Sequence, residues 1–265
     1  MSTTICYFTG TGNSYYAAKA CASAFVDAQV LSLREARMNR HLLQGTTILG
    51  LVFPVYFMAP PALMAKFITR TLADLKLPLE YVFVIATNGG LVGYSLMIVE
   101  RLLAQAGYVP SYAESVRMVD TYIPLYKIPG EAEQESIYCK ADLKLATIVK
   151  ELREQQLKVP PRRFLTRLYQ TFWKARIPHR EALDSRFRVS EGCTGCGLCA
   201  RVCPAANIII TLDGKPDYSH ACEQCLGCYH CCPVHAISLT HRPLQGYTWF
   251  PNKHSGYTHP NGFKR

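Results

Sequence analysis

The sequence predicts an α/β protein: a doubly wound parallel sheet over the first 150 residues, then a small α+β region. Three observations carry this. Apolar strand-like runs alternate with helically spaced segments along the N-terminal part. Nine of the 12 cysteines fall between Cys193 and Cys232, so the C-terminal third has its own chemistry. A basic stretch separates the two. With 49% hydrophobic and 18% charged residues in a chain of 265, disorder is excluded and a sizeable core is affordable.

The elements follow in order. Thr4 to Phe8 is a short apolar strand, and Ser14 to Phe25 a helix with an Ala-rich face. Gln29 to Leu33 is a second strand, and Thr47 to Pro54 a third, rich in Leu, Val and Ile. Pro61 to Leu72 is helical. Tyr81 to Thr87 is a strand, and Tyr94 to Ala106 a helix closed by Gly107. A weaker strand lies near Ser115 to Val119, and a long helix runs about Glu133 to Gln156. In the C-terminal third, Asn207 to Leu212 and Ala236 to Thr240 are short strands, with Asp213-Gly214 as a tight turn.

Two charge-free runs, Leu42 to Ala65 and Tyr81 to Val99, are interrupted by Pro54, Pro60 and Pro61 and by Asn88-Gly89-Gly90. They read as buried strand, loop and helix start, not as membrane spans. The N-terminus lacks a basic leader pattern, so the expected location is the cytoplasm. A reducing compartment argues against disulfides.

Residues 158–188 hold nine Lys or Arg against Glu181 and Asp184, and so most of the formal +10. Phe164, Leu165, Leu168, Tyr169, Phe172 and Trp173 recur there at helical spacing. This predicts a basic amphipathic connecting helix packed on its own protein, in preference to an acidic partner or a membrane surface. The expected division is 1–157, a connector 158–189, a cysteine-rich domain 190–242, and a tail 243–265.

The cysteine region is an internal repeat. Cys193, Cys196, Cys199 and Cys203-Pro204 are followed 29 residues on by Cys222, Cys225, Cys228 and Cys232-Pro233. Each copy reads C-x2-C-x2-C-x3-C-P. Three closely spaced thiolates face one cubane, and the Pro-linked fourth turns to the other. Cys193, Cys196, Cys199 and Cys232 are therefore expected to hold one 4Fe–4S cluster. Cys222, Cys225, Cys228 and Cys203 hold the second. Zinc sites instead use ligand pairs across a longer spacer. Cys232 keeps both the spacing and the following Pro, which leaves Cys231 as a spare thiol. Gly195, Gly197 and Gly227 allow backbone N–H groups to approach the sulfurs. This part resembles the bacterial two-cluster ferredoxins.

After the first strand comes Thr9-Gly10-Thr11-Gly12-Asn13-Ser14, then a helix. A strand–loop–helix of this kind is an anion site. It lacks the Lys of a Walker loop, and Tyr15 stands where a dinucleotide fingerprint needs glycine. The remaining reading is a hydroxyl-rich cradle for one terminal phosphate, which resembles the first loop of the flavodoxins and implies FMN. The loops after the third and fourth strands, with Pro54, Val55, Tyr56 and Phe57 and with Thr87, Asn88, Gly89 and Gly90, offer aromatic rings and open amides for a flavin ring. Asp120-Thr121-Tyr122-Ile123 is a weaker candidate to close the pocket.

The whole chain resembles the flavodoxin–ferredoxin fusion proteins of anaerobic bacteria. It departs at Thr121, where that family usually has Asn. The resemblance implies a flavodoxin-like FMN domain joined to a ferredoxin domain with two 4Fe–4S clusters. The expected function is an electron-transfer flavoprotein that converts between two-electron and one-electron carriers, with redox partner proteins. A flavin-dependent reductase fed through its clusters and a redox-sensing interaction module are the alternatives. No nucleophile pattern of Ser/His/Asp or Cys/His type is present, and the late histidines are not spaced as ligands. Bound clusters and a phosphate would bring the net charge to about +4, which weakens any nucleic-acid reading.

Overall fold

The computed structural model describes residues 2–159, 171 and 182–239. The apolar stripe of the connecting helix and the tail beyond Leu239 lie outside the described residues. The chain divides into two compact units. The first comprises Met1–Thr9, Asn13–Val119 and Glu131–Lys174. The second comprises Gly10–Gly12, Asp120–Gly130 and Ala175–Arg265.

The first unit is built on five parallel strands: β1 (Ser2–Tyr7), β2 (Gln29–Ser32), β3 (Thr46–Pro54), β4 (Tyr81–Asn88) and β5 (Tyr112–Arg117), in the order β2-β1-β3-β4-β5. That order is the flavodoxin-like version of the doubly wound fold, with its switch point at β1/β3. The central strands β3 and β4 are buried on both faces, which explains their near-continuous apolar runs. On one face, α1 (Asn13–Ala22) and α6 (Glu131–Arg153) pack Ala17, Ala18, Cys21, Leu145 and Ile148 onto Ile5, Tyr7, Val52, Phe83 and Tyr112. The acidic first turn and basic last turn of α6 complement its dipole.

A second helical layer contains α2 (Leu33–Met38), α3 (Ala62–Lys66), a wider π turn over Phe67–Leu72, α4 (Ala73–Leu75) and α5 (Ser95–Gln105). Sequence reading missed α2. Its signal was Ser32-x-x-Glu35, which forms a full capping box: the Glu35 amide donates to Ser32 Oγ at 3.1 Å, and the Ser32 amide to Glu35 Oε2 at 2.8 Å. Strand β5 begins three residues earlier than expected, at Tyr112, and its start is fixed from outside the sheet pattern. Lys158 bridges to Tyr112, accepting from the Ala113 amide at 2.6 Å and donating to the Ser111 carbonyl at 2.9 Å. Its ammonium also pairs with Glu114 at 2.9 Å and Glu151 at 3.2 Å. The chain thereby covers backbone groups at the edge strand.

Gly50 lies in the middle of β3. A Cβ there would sit 2.3 Å from Phe83 Cζ, and Phe83 stacks on Phe25 with centroids 5.8 Å apart. Glycine therefore makes room for this stacked ring pair. Gly50→Ala is expected to cost about 1–3 kcal/mol by overpacking. Urea midpoints should show this loss, and Phe83→Leu in the same chain should recover part of it.

The second unit repeats a module at an offset of 29 residues. Strand β6 (Phe187–Val189), helix α7 (Leu198–Val202) and strand β7 (Ile208–Ile210) recur as β8 (Pro216–Tyr218), α8 (Gly227–Cys231) and β9 (Ile237–Leu239). The strands pair crosswise and antiparallel, β6 with β9 and β7 with β8. Each module thus completes a ribbon with the other, around a core of Leu198, Val202, Ile208, Leu226, Tyr229 and Ile237.

Candidate functional site

Because the five strands are parallel, the loops after β1, β3, β4 and β5 leave from the same edge of the sheet. Three of the predicted loops meet there at Thr87. Ser14 Oγ shares a hydrogen bond with Thr87 Oγ1 at 2.7 Å, and the Val55 amide donates to the Thr87 carbonyl at 2.8 Å. Asn13 Nδ2 donates to the Val119 carbonyl at 2.9 Å. Asn88 is buried, and its Nδ2 donates to the Val116 carbonyl at 3.3 Å. Thr9 is buried at the end of β1, whereas Gly90 is exposed, with open space where a Cβ would stand.

After Pro54 and Val55, Tyr56 and Ala59 exchange hydrogen bonds of 2.9 and 3.1 Å around Phe57 and Met58. Both central residues are left-handed, with φ of +50° and +65°. Asn and Gly normally fill a turn with two positive φ values. Two bulky residues here store strain, and they remain 45% and 39% exposed. Gly93 accommodates the turn, since a Cβ on it would meet Met58 Cβ at 2.4 Å. The Tyr94 amide donates to the Met58 carbonyl at 3.0 Å, and Tyr56 packs edge-on against Phe8. Sequence reading found Tyr56 and Phe57 by position and could not see the turn type.

Gly10, Thr11 and Gly12 group with the second unit. There Thr11 Oγ1 shares a 3.0 Å hydrogen bond with Thr121 Oγ1. The buried His230 ring bonds the Thr121 carbonyl through Nε2 at 2.9 Å, which makes Nε2 the protonated nitrogen. Burial holds His230 down at about 4, against the pull of that hydrogen bond, so the ring is neutral at physiological pH. Tyr122 and Ile123 pack on the core of this unit.

The eight predicted cysteine ligands sort into two cavities. Cys193, Cys196, Cys199 and Cys232 line the first. Cys203, Cys222, Cys225 and Cys228 line the second. Cys231 lines neither; it is fully buried and its thiol donates to the Cys228 carbonyl at 3.3 Å. Among the described residues, no three His, Cys, Asp or Glu side chains converge on a single-ion site.

The two halves hold their sulfurs alike. The Asn207 amide donates to Cys203 Sγ at 3.3 Å, and its counterpart Ala236 to Cys232 Sγ at 3.2 Å. Left-handed residues recur in register: Gly195 and Gln224, Gly197 and Leu226, Ala206 and His235, all with φ between +52° and +69°. A non-glycine residue pays about 1–2 kcal/mol for this conformation, so the geometry is imposed even where the sequence offers no glycine. Gly227 is not left-handed. Its amide bonds Cys225, and a Cβ on it would meet the Gly10 carbonyl at 2.6 Å, so a close approach selects it.

Chemically, four thiols around an otherwise apolar cavity, with backbone N–H groups on the sulfurs, suit a polynuclear metal–thiolate group. Without metal these thiols resist ionisation. Burial pushes Cys199 up to about 11 and Cys222 up to about 12, and Cys21 in the first unit also up to about 12.

Residues 188–209, which contain the first cysteine run, match the family described as a 4Fe-4S binding domain. No curated protein matches the chain. Among solved structures, the chain is similar to a flavodoxin from the domain Archaea, at 16% identity over 57% of this chain and 99% of that one, with a TM-score of 0.38. It is similar to the two-electron reduced flavodoxin of Megasphaera elsdenii, at 16% identity over 54% and 98%, with a TM-score of 0.36. It is also similar to an NAD(P)H:quinone oxidoreductase from Methanothermobacter marburgensis, at 14% identity over 57% and 96%, with a TM-score of 0.39. The fold assignment rests on the strand order and not on these scores. Among the described residues, no helix is long and apolar enough to cross a membrane.

One expected outcome concerns pH. In the metal-free protein the buried thiols stay protonated where the unfolded chain ionises, so the unfolded state binds fewer protons. Stability should therefore fall as pH rises from the ordinary thiol value of 9.0 toward 12. Urea midpoints measured across that range test this, and Cys21→Ala should shrink the fall.

A 4Fe–4S binding segment joined to a flavodoxin-like sheet is consistent with a flavodoxin–ferredoxin fusion and with a redox role for the chain.

Proposed function

We propose that this protein is an electron-transfer flavoprotein that holds FMN at the carboxyl edge of the sheet and two 4Fe–4S clusters in the second unit. The observation that carries the reading is the sorting of eight cysteines into two cavities, each taking its fourth thiol from the other repeat. A flavin exchanges electrons in pairs and each cubane singly, so together they link two-electron and one-electron carriers.

The chain's own residues bind, orient and exclude water. Backbone amides of Asn207, Gln224 and Ala236 donate to the sulfurs of Cys203, Cys222 and Cys232 at 3.2–3.3 Å. Such bonds favour the more negative, reduced state. Leu198, Ile210 and Ile237 on the first cavity, and Phe187, Ile208 and Leu226 on the second, keep the walls apolar. Thr9, Thr11 and Ser14 supply the hydroxyls of the phosphate loop, and the amides at the start of α1 supply further donors. Tyr56 and the exposed Phe57 offer rings for the flavin at the switch point.

Anaerobic reconstitution with iron, sulfide and flavin counted tests the reading. About eight irons and eight sulfides per chain are expected. Cys203→Ser should lose one cluster and keep the other, and Cys231→Ala should keep both. If Cys231→Ala lost a cluster and Cys232→Ala did not, the ligand assignment would be wrong.

Flavin identity is tested separately. The loop has donors for one terminal phosphate, so extraction should release FMN and not FAD. Thr11→Asp places a carboxylate beside the phosphate, and like-charge repulsion should empty the flavin site while iron content stays the same. Unaltered flavin in that variant overturns the loop assignment.

A further inference from the structure

The second cavity contains a polar group that the fold itself does not use. The Tyr218 hydroxyl is shielded from solvent and has no hydrogen-bond partner. It is the one buried side-chain polar atom without a partner among the described residues. Tyr218 lines the cavity of Cys203, Cys222, Cys225 and Cys228. Its ring is held in place by stacking on Phe187, with centroids 5.4 Å apart and planes within 8° of parallel. Pairing of β8 with β7 sets its direction. Tyr218 and its partner Ile208 line the second cavity, Pro216 and its partner Ile210 line the first, and Asp217 between them is exposed.

The hydroxyl is a donor inside the cavity that Cys228 also lines. Leaving a buried hydroxyl unpaired costs about 1–3 kcal/mol. Phenylalanine would fill the same space without that cost. The hydroxyl accordingly makes sense only toward an acceptor that the protein chain does not supply. The counterpart one repeat earlier is Val189, which has no donor to offer.

We propose that Tyr218 is a positioning residue for the metal group of the second cavity. Its hydroxyl donates to a cluster or cysteine sulfur there and so makes the two otherwise repeated sites unequal. The proposal rests on the reading of both cavities as 4Fe–4S sites. Reduction adds negative charge, so a donor binds the reduced form more tightly and raises the potential of that site. The first site receives no such contribution from Val189.

The test uses the anaerobically reconstituted full-length protein and Tyr218→Phe, which keeps the ring. Redox titration followed by electron paramagnetic resonance should show one potential lowered and the other unchanged, with iron content equal to wild type. The lowered potential should belong to the cluster that is missing in Cys203→Ser. In resonance Raman spectra, solvent deuteration should shift Fe–S stretching bands of wild type more than those of the variant. The metal-free variant should be at least as stable to urea as metal-free wild type, because the hydroxyl has no partner to lose. Equal potentials at equal iron content, or a lowered stability of the metal-free variant, would overturn the role. Failure of the cluster reading itself would appear separately, as an iron count far from about eight in wild type.

Discussion

Each cavity in the second unit draws three thiols from one repeat and the fourth from the other, and that exchange governs how the unit is built. Cys232 must reach back to Cys193, Cys196 and Cys199, and Cys203 must reach forward to Cys222, Cys225 and Cys228. Crosswise pairing of β6 with β9 and β7 with β8 follows the same exchange. Neither repeat can then close its core alone. The cysteines are themselves part of that core, so a metal group bound to them would add to the stability of the unit. The raised thiol ionisation describes the same coupling from the metal-free side: an apolar cavity favours neutral thiols until a cation replaces their protons.

Repetition sets the backbone more strictly than it sets the side chains. Three left-handed positions recur in register, and only the first copy uses glycine, at Gly195 and Gly197. Gln224, Leu226, Ala206 and His235 hold the conformation at a cost, because the cysteine spacing requires the turns. Where the two copies differ, the difference has consequences for chemistry. Position 218 carries a hydroxyl and position 189 does not. Asp184, which is buried, accepts from Asn207 Nδ2 at 2.8 Å and sits 2.8 Å from His220 Nδ1, bracing the side chain of the residue whose backbone amide bonds Cys203. Its counterpart at Ala236 has no side-chain amide to brace.

The sheet uses a different economy. Its central strands are buried on both faces, so side-chain volume decides the details there, as Gly50 under Phe83 illustrates. At the carboxyl edge, strain is held in the Phe57–Met58 turn, where a rigid sheet can keep an unfavourable loop in place. Gly93 is small because that turn packs on it. Loop and scaffold thus constrain one another at the edge where ligands bind in this class of sheet.

The strand–helix alternation, the cysteine repeat with its crossed sorting of thiols and the presence of a hydroxyl-rich loop were all legible in the sequence, because each depends on spacing along the chain. The sorting of Cys231 away from both cavities was also legible, since the proline marks its neighbour. Helix α2 was legible in principle through Ser32 and Glu35, but six residues give too short an apolar period to stand out. What only tertiary structure decided depends on partners distant in sequence. The start of β5 depends on Lys158, some 45 residues away, and the smallness of Gly227 on the carbonyl of Gly10. The turn at Phe57 and Met58 breaks the residue preferences for its type, so no local rule could find it. Tyr218 reads in the sequence as one aromatic among many. Its meaning comes from an unpaired hydroxyl in a particular cavity, and pairing is a property of what surrounds an atom, which spacing along the chain does not encode.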